Sequence, residues 1–268
     1  VSITEEFALR VRIKFTKTGC LKFIGHLDVM RYFQKAIRRA ELPVSLSEGF
    51  SPHMLMSFAA PLGVGKTSSG EYFDLDLKEE IPTDEIRERI NAQMVPGIHV
   101  ESCVEIGIKK AEKCMTLVRA ADYTVSFRKG EVMLPDLPQL QEKLEMFLSR
   151  PSIVVLRKTK RSEEQTDILP WIYEMQMVEL DDQMLAEHPQ GVDAERVAFH
   201  LLLSAGSVSN LKPELVMQTF ADFAGVTLPP YSLLVHRNDI LTDIGTENHR
   251  RLVPLDQIPA EFFQKKQL

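Results

Sequence analysis

The stretch that most limits the possible folds is FALRVRIKF, Phe7 to Phe15, where Phe7, Leu9, Val11, Ile13 and Phe15 alternate with Ala8, Arg10, Arg12 and Lys14. Strand side chains point alternately to opposite faces, so the pattern predicts a half-buried strand with one apolar and one basic face. Soon after it, Leu27, Met30, Phe33, Ile37 and Ala40 recur at helical spacing. That helix should end before Leu42-Pro43, because a residue preceding proline avoids the helical region. On its opposite side Asp28, Arg31, Lys35 and Arg38 fall three or four apart and share a face.

Farther along, Glu71 to Leu77 reads as a strand, Pro82 to Met94 as a helix with Thr83 or Asp84 near its cap, and Ile98 to Ile108 as another strand. With a short strand between Val44 and Phe58 the order becomes βαββαβ, the ferredoxin-like arrangement. Lys109 to Arg119 is a connector, after which the pattern begins again. Tyr123 to Phe127 predicts a strand, Leu137 to Leu148 a helix, and Ser152 to Arg157 a strand. An inserted hairpin with its charged tip at Lys158 to Gln165 and an acidic loop at Asp181 to Glu195 follow. A strand at Val197 to Ser204, a helix at Pro213 to Ala224 and a strand near Ser232 to Val235 complete the order; Pro213 lies in that helix's first turn and Gly225 just past its end. The expected fold is α+β, with tandem ferredoxin-like domains over residues 1–110 and 120–240. The second carries the inserted hairpin, and residues 241–268 form a C-terminal extension.

The 268 residues are 44% hydrophobic and 26% charged, a balance suited to a globular protein with a substantial core. The longest apolar runs are too short to span a bilayer and the N-terminus lacks a signal-peptide pattern, so the chain reads as cytoplasmic, with no membrane partner. Cys20, Cys103 and Cys114 have no close spacing, which leaves free thiols as the reading and writes no metal or iron–sulfur motif. The net charge of -6 argues against a protein that coats nucleic acid indiscriminately. It conceals an asymmetry: Phe7 to Ala40 holds nine Lys or Arg against the single acid Asp28. A local basic field on an acidic chain points to an oriented encounter with a polyanion, against the plainer reading of a solvated face.

Three sets of residues are candidates for chemistry. APLGVGKT, Ala60 to Thr67, matches a permissive phosphate-loop pattern, but that loop works only where it opens a helix, and a β-patterned segment follows here. His26 and His53, with Asp28 and Glu48, could converge on one site, since paired histidines with a carboxylate bind metals or act as base and acid on an RNA 2'-hydroxyl. Their spacing matches no metal motif, and structural histidines are commoner, a reading that also covers His200 and His236. No metal or cofactor is therefore expected. SEGFSPH, Ser47 to His53, combines small hydroxyls, Gly49 and Pro52 in a recipe for a rigid loop. Ser47, Gly49, Phe50, Ser51 and His53 beside Arg31, Lys35 and Arg38 would grip a phosphate while Phe50 stacks on a base. The alternative folds Phe50 into the core. Arg157, Lys158, Lys160 and Arg161 could add backbone contacts, although a solvated hairpin tip is the plainer reading.

The sequence KFIGHLDVMRYFQKAIRRAELPVSLSEGFSPHMLMSFAAPLGVG, continuing through SSGEY, resembles the radical-SAM-linked protein family of bacteria. The pattern is F-x-S-H-L-D, R-R-A-x-L-P, S-E-G-F-x-P-H and S-F-A-x-P-L-x-V-G, specific mainly over Phe23 to Tyr72. Gly25 stands where that pattern often has Ser, and Lys66 where it often has a nonbasic residue. The resemblance implies association with a radical S-adenosylmethionine enzyme and RNA or ribosome-related modification. The chain lacks the Cys-x-x-x-Cys-x-x-Cys cluster of such an enzyme, so the expectation is a non-catalytic accessory protein that binds tRNA or rRNA or docks it onto the radical enzyme. The alternatives are an RNA-processing or RNA-modifying enzyme using His26 and His53, resembling CRISPR repeat-processing nucleases at fold level, and a protein-only scaffold for the radical enzyme.

Overall fold

Apolar alternation from Leu9 onward produces β1 (Leu9–Lys17), followed by α1 (His26–Arg39), β2 (Met56–Phe58), β3 (Thr67–Leu77), α2 (Thr83–Asn91), β4 (Ile98–Glu105) and the single turn α3 (Cys114–Leu117). Then come β5 (Ala120–Arg128), α4 (Leu137–Leu148), β6 (Val154–Lys158), β7 (Glu163–Asp167), β8 (Ile172–Glu179) and α5 (Asp182–Ala186). The order closes with β9 (Ala194–Ser204), α6 (Pro213–Ala224), β10 (Leu233–Asp243), β11 (Leu252–Pro254) and α7 (Ala260–Lys265). The computed structural model describes residues 8–107, 109, 112–158, 163–186, 188–190, 194–246 and 249–265. Phe7, Lys160 and Arg161 lie outside the described residues. The protein is a mixed α+β chain with mostly antiparallel strand pairing. Among the described residues, no helix is long and apolar enough to cross a membrane.

The chain divides into two compact units, one of residues 1–120 with 239–268 and one of residues 121–238. In the first, β1 lies between β4 and β3 and is antiparallel to both, and β2 pairs antiparallel with β3. Its core gathers Val11, Ile13, Phe15, Phe33, Ile37, Phe73, Leu75, Ile86 and Ile90. At the centre Phe33 meets Phe15 edge-on at 4.6 Å and Phe73 at 4.8 Å between ring centroids. β3 is longer than its apolar pattern predicts, because Thr67 and Ser68 enter the strand fully buried. The tail, which has no legible pattern, contributes β11, antiparallel to β10 from Leu241 to Asp243.

In the second unit the strand order is β10, β5, β9, β8, with α4 and α6 packed on one core through Leu140, Leu144, Phe147, Val216 and Phe220. The strand expected at Ser152 to Arg157 forms as β6, but it takes no place in the larger sheet. β6 pairs only with β7 in a separate two-stranded sheet, and β8, expected to belong to the inserted hairpin, is the strand that pairs with β9. The reason is the facing of the side chains: Val154 and Leu156 of β6 remain exposed, whereas Met175 of β8 is buried in the core and Met177 packs against it.

Candidate nucleic-acid interface

The basic face expected on β1 is internal. β1 and β3 run antiparallel with Arg10 opposite Asp76, Arg12 opposite Asp74 and Lys14 opposite Tyr72. Arg10 and Arg12 are 2% and 1% exposed; each donates from Nε and Nη2 to its facing aspartate. Arg12 also donates to the carbonyls of Leu255 and Glu112. Burying a guanidinium is costly unless it is paired and hydrogen-bonded, and each of these two meets a carboxylate through two donors. Lys14 pairs with Asp239 at 2.7 Å, and the buried Lys17 donates to the Ile24 carbonyl at 2.9 Å. Four of the nine basic residues are therefore committed inside the unit. The signal lay in the sequence as R-x-R-x-K against D-x-D in EYFDLDL, two period-2 charge patterns of opposite sign.

What remains exposed is the polar side of α1. Arg31, Lys35, Arg38 and Arg39 all face solvent. Arg31 approaches Asp28 at 3.6 Å with both side chains well exposed, a contact of little energetic weight, and Arg39 donates to the side chain and carbonyl of Gln93. Among the described residues no acidic group pairs with Lys35 or Arg38. One turn of helix rises about 5.4 Å, so the row runs along one side of α1 with its Cβ atoms roughly 5–6 Å apart.

The SEGFSPH segment is a pinned protrusion. Val44 bridges to Leu77 and Leu46 to Met54, which brings its two arms together. Ser47 and His53 then clamp the neck three ways: Ser47 Oγ lies 2.7 Å from His53 Nδ1, the His53 amide donates to that oxygen at 3.1 Å, and the Ser47 amide donates to the His53 carbonyl at 2.8 Å. Gly49 turns the tip at φ +104°, a backbone state open chiefly to glycine. Glu48, Gly49, Phe50, Ser51 and Pro52 are exposed, and Phe50 is completely so. A second aromatic that the sequence reading passed over, Phe23, is 67% exposed just ahead of α1, with the Lys22 ammonium 5.3 Å from its ring centroid. Leu27 and Val64 are also exposed, and the Gly65 amide donates to the Lys22 carbonyl at 2.7 Å.

The two histidines line different cavities. His26 opens α1, meets Phe58 edge-on at 5.1 Å and lines a small cleft with Lys17, Leu62 and Glu71. His53 lines a different cavity of about 100 Å³ with Arg10, Met54, Asp74, Asp76 and Lys113. Asp28 and Glu48 are exposed and line neither. Among the described residues no group of three His, Cys, Asp or Glu side chains could hold a metal ion. APLGVGKT runs into β3 at Thr67 rather than into a helix, so it has no helical amides to offer a phosphate.

Two polar networks escaped the sequence reading because their members are distant in the chain. In the first unit the Tyr72 hydroxyl lies 2.6 Å from Asp239 and 3.1 Å from Asp256, and Ser102 donates to Asp256 at 2.6 Å. Burial and the two carboxylates push the Tyr72 pKa far up, and burial raises that of Asp239. Asp256, Arg12, Glu112 and Phe263 help line a cavity of about 410 Å³ in this unit. In the second unit His200 Nε2 lies 2.8 Å from Asp122, which also accepts from Asn238 at 2.8 Å. His200 Nδ1 is 3.5 Å from Glu174, so the imidazole spans two carboxylates and its pKa is raised, chiefly by the Asp122 hydrogen bond. The Ser126 hydroxyl meets His188 Nε2 at 2.8 Å, while burial drives His236 down to about 4. Burial likewise pushes the Cys103 thiol up to about 12 and raises Cys114, whose sulfur contacts the Ser57 carbonyl at 3.1 Å. Neither is poised as a nucleophile.

Fold and surface together define an α+β protein with its exposed basic row and an exposed aromatic loop in the same unit. The chain belongs to the family described as "Uncharacterized protein conserved in bacteria (DUF2344)", whose sequence pattern matches residues 10–213. No curated protein matches it. Among solved structures it is similar to a chain of a Cbf5-Nop10-Gar1 complex at 10% identity and TM-score 0.42, covering 86% of this chain and 48% of that one. It is similar to a chain of the archaeal box H/ACA sRNP Nop10-Cbf5 complex at 9% identity and TM-score 0.37, covering 87% and 47%. An unknown protein from Galdieria sulphuraria is similar at 9% identity and TM-score 0.23, covering 85% and 98%. The chain thus spans about half the length of the two Cbf5-complex chains.

Proposed function

We propose that this protein is an accessory RNA-binding module that uses α1 and the SEGFSPH protrusion to hold RNA for a partner enzyme. The observation that carries the reading is the row Arg31, Lys35, Arg38, exposed in a unit where Arg10, Arg12 and Lys14 are spent on aspartates. Exposed cations at regular helical spacing suit successive phosphates of one strand. We read each unit as a ferredoxin-like half, at about residues 1–110 and 120–240, with 241–268 as an extension. The element order and the strand orders β4-β1-β3-β2 and β10-β5-β9-β8 support that reading. The partner implied by the sequence resemblance is a radical S-adenosylmethionine enzyme, with tRNA or rRNA as cargo in the bacterial cytoplasm.

The test is affinity for tRNA and rRNA fragments across a salt series. The intact protein should bind with a clear salt slope, and replacing Arg31→Ala together with Arg38→Ala should lower that slope by about 2 without changing thermal stability. Absence of binding, or a slope indifferent to both substitutions, ends the RNA reading. A protein-only scaffold is the second reading, favoured by exposed Phe23, Leu27 and Val64 near the start of α1; capture of the radical enzyme that survives RNase treatment supports it. The catalytic reading retains only His26 and Asp28 at the same helix start, and wild-type protein that leaves labelled RNA intact removes it.

A further inference from the structure

We infer that the RNA recognised by this surface carries unpaired bases, in a single strand, a loop or an end, rather than an uninterrupted duplex; the inference rests on the RNA reading above and names its substrate class. Phe50 projects fully exposed from a neck closed by the three Ser47–His53 hydrogen bonds and turned by Gly49 in the left-handed region. An aromatic ring held in water by a pinned loop forgoes the burial that would have stabilised the fold, and its loop has little conformational freedom left to lose on binding. A phenyl ring has no hydrogen-bonding group with which to read a groove edge. Its one strong mode of nucleic-acid contact is stacking on a base face, and base faces are hidden inside an A-form stack.

The rest of the surface fits the same ligand. In chain order, exposed Phe23 precedes the cationic row of α1 and exposed Phe50 follows it. Aromatics beside cations suit a single-strand track, where backbone phosphates meet the charges and bases meet the rings. Duplex recognition across a minor groove would instead call for hydrogen-bonding side chains placed to reach 2'-hydroxyls. The protrusion tip offers the carboxylate of Glu48, one short hydroxyl on Ser51 and a bare ring, and the only carboxylate in the first turn of α1 is Asp28.

The experiment compares the full chain with its Phe50→Ala, Phe50→Trp and Arg31→Ala/Arg38→Ala variants, using fluorescein-labelled oligoadenylate of about a dozen nucleotides and an RNA duplex of equal length. The single strand should bind more tightly than the duplex. Phe50→Ala should weaken single-strand binding by about tenfold with the salt slope unchanged, because a stack and no phosphate contact is lost, and Phe50→Trp should restore it. If the duplex binds as tightly as the single strand, or Phe50→Ala leaves single-strand affinity unchanged, the inference is overturned. Sensitivity of that same binding to Arg31→Ala/Arg38→Ala would then leave the broader RNA reading standing. Failure of both probes to bind removes both.

Discussion

Two histidines of the second unit titrate in opposite directions for opposite reasons. His236 is buried and its folded pKa falls from 6.5 to about 4, so the folded state resists a proton that the unfolded chain accepts. Its contribution is fully present above pH 6.5 and is lost as pH falls through that value toward 4, at a cost of about 3 kcal/mol. His200 lies between Asp122 and Glu174 with a raised pKa, so its contribution is complete below pH 6.5 and is lost as pH rises through the folded value. Urea unfolding across pH should therefore show His236→Gln removing a loss on the acid side and His200→Gln removing one on the alkaline side. An acid limb identical in wild type and His236→Gln would contradict the assignment. Neither role was legible in the sequence beyond the expectation that both residues are structural, because Asp122 and Glu174 reach His200 only through strand pairing. The same limit hid the fate of Arg10 and Arg12: periodicity shows that they share a face, and only the register with β3 shows that the face carries aspartates.

At the scale of single elements, α1 divides its work between sides. Val29, Phe33, Ala36 and Ile37 are buried, and Phe33 contacts Phe15, Phe58 and Phe73. Phe33→Ala should cost about 3–5 kcal/mol in chemical unfolding, whereas Arg38→Ala on the opposite side should stay within about 0.5 kcal/mol. Comparable losses in the two variants would mean that the exposed row is structural after all. Elements with a strong period and clear punctuation were legible. α4 occupies Leu137–Leu148 as expected, with Asp136 accepting from the Gln139 amide at 2.9 Å, and α6 occupies Pro213–Ala224 with Gly225 closing it at φ 75°. Short or mixed segments were less legible. β6 and β8 carry similar apolar content, and their roles were exchanged because local pattern does not say which strand finds a partner in the larger sheet. The SEGFSPH stretch was recognisable as a shaped loop from its composition, while the exposure of Phe50 and the Ser47–His53 clamp depend on the bridge between Leu46 and Met54.

Across the whole molecule, the segment from Asp239 onward supplies the first unit with Asp239 and Asp256 for Tyr72, Lys14 and Ser102, and with the Leu255 carbonyl for Arg12. A chain ending at Asn238 should take these acceptors from Tyr72, Lys14 and Ser102, remove one of several from Arg12, and expose the edge that β11 and the end of β10 occupy, at a cost of several kcal/mol in aggregate. Hydrogen exchange should show lost protection in β1 and β3, and unchanged protection there would refute the role given to the tail. The division of the chain has a further consequence in time. Residues 121–238 form one uninterrupted stretch, while the first unit draws on both ends of the sequence. During synthesis the second unit can close its core as soon as it emerges, but β1 and β3, made before it, must wait for Asp239, Leu255 and Asp256 to leave the ribosome after it, holding Arg12 and Tyr72 incompletely satisfied until then.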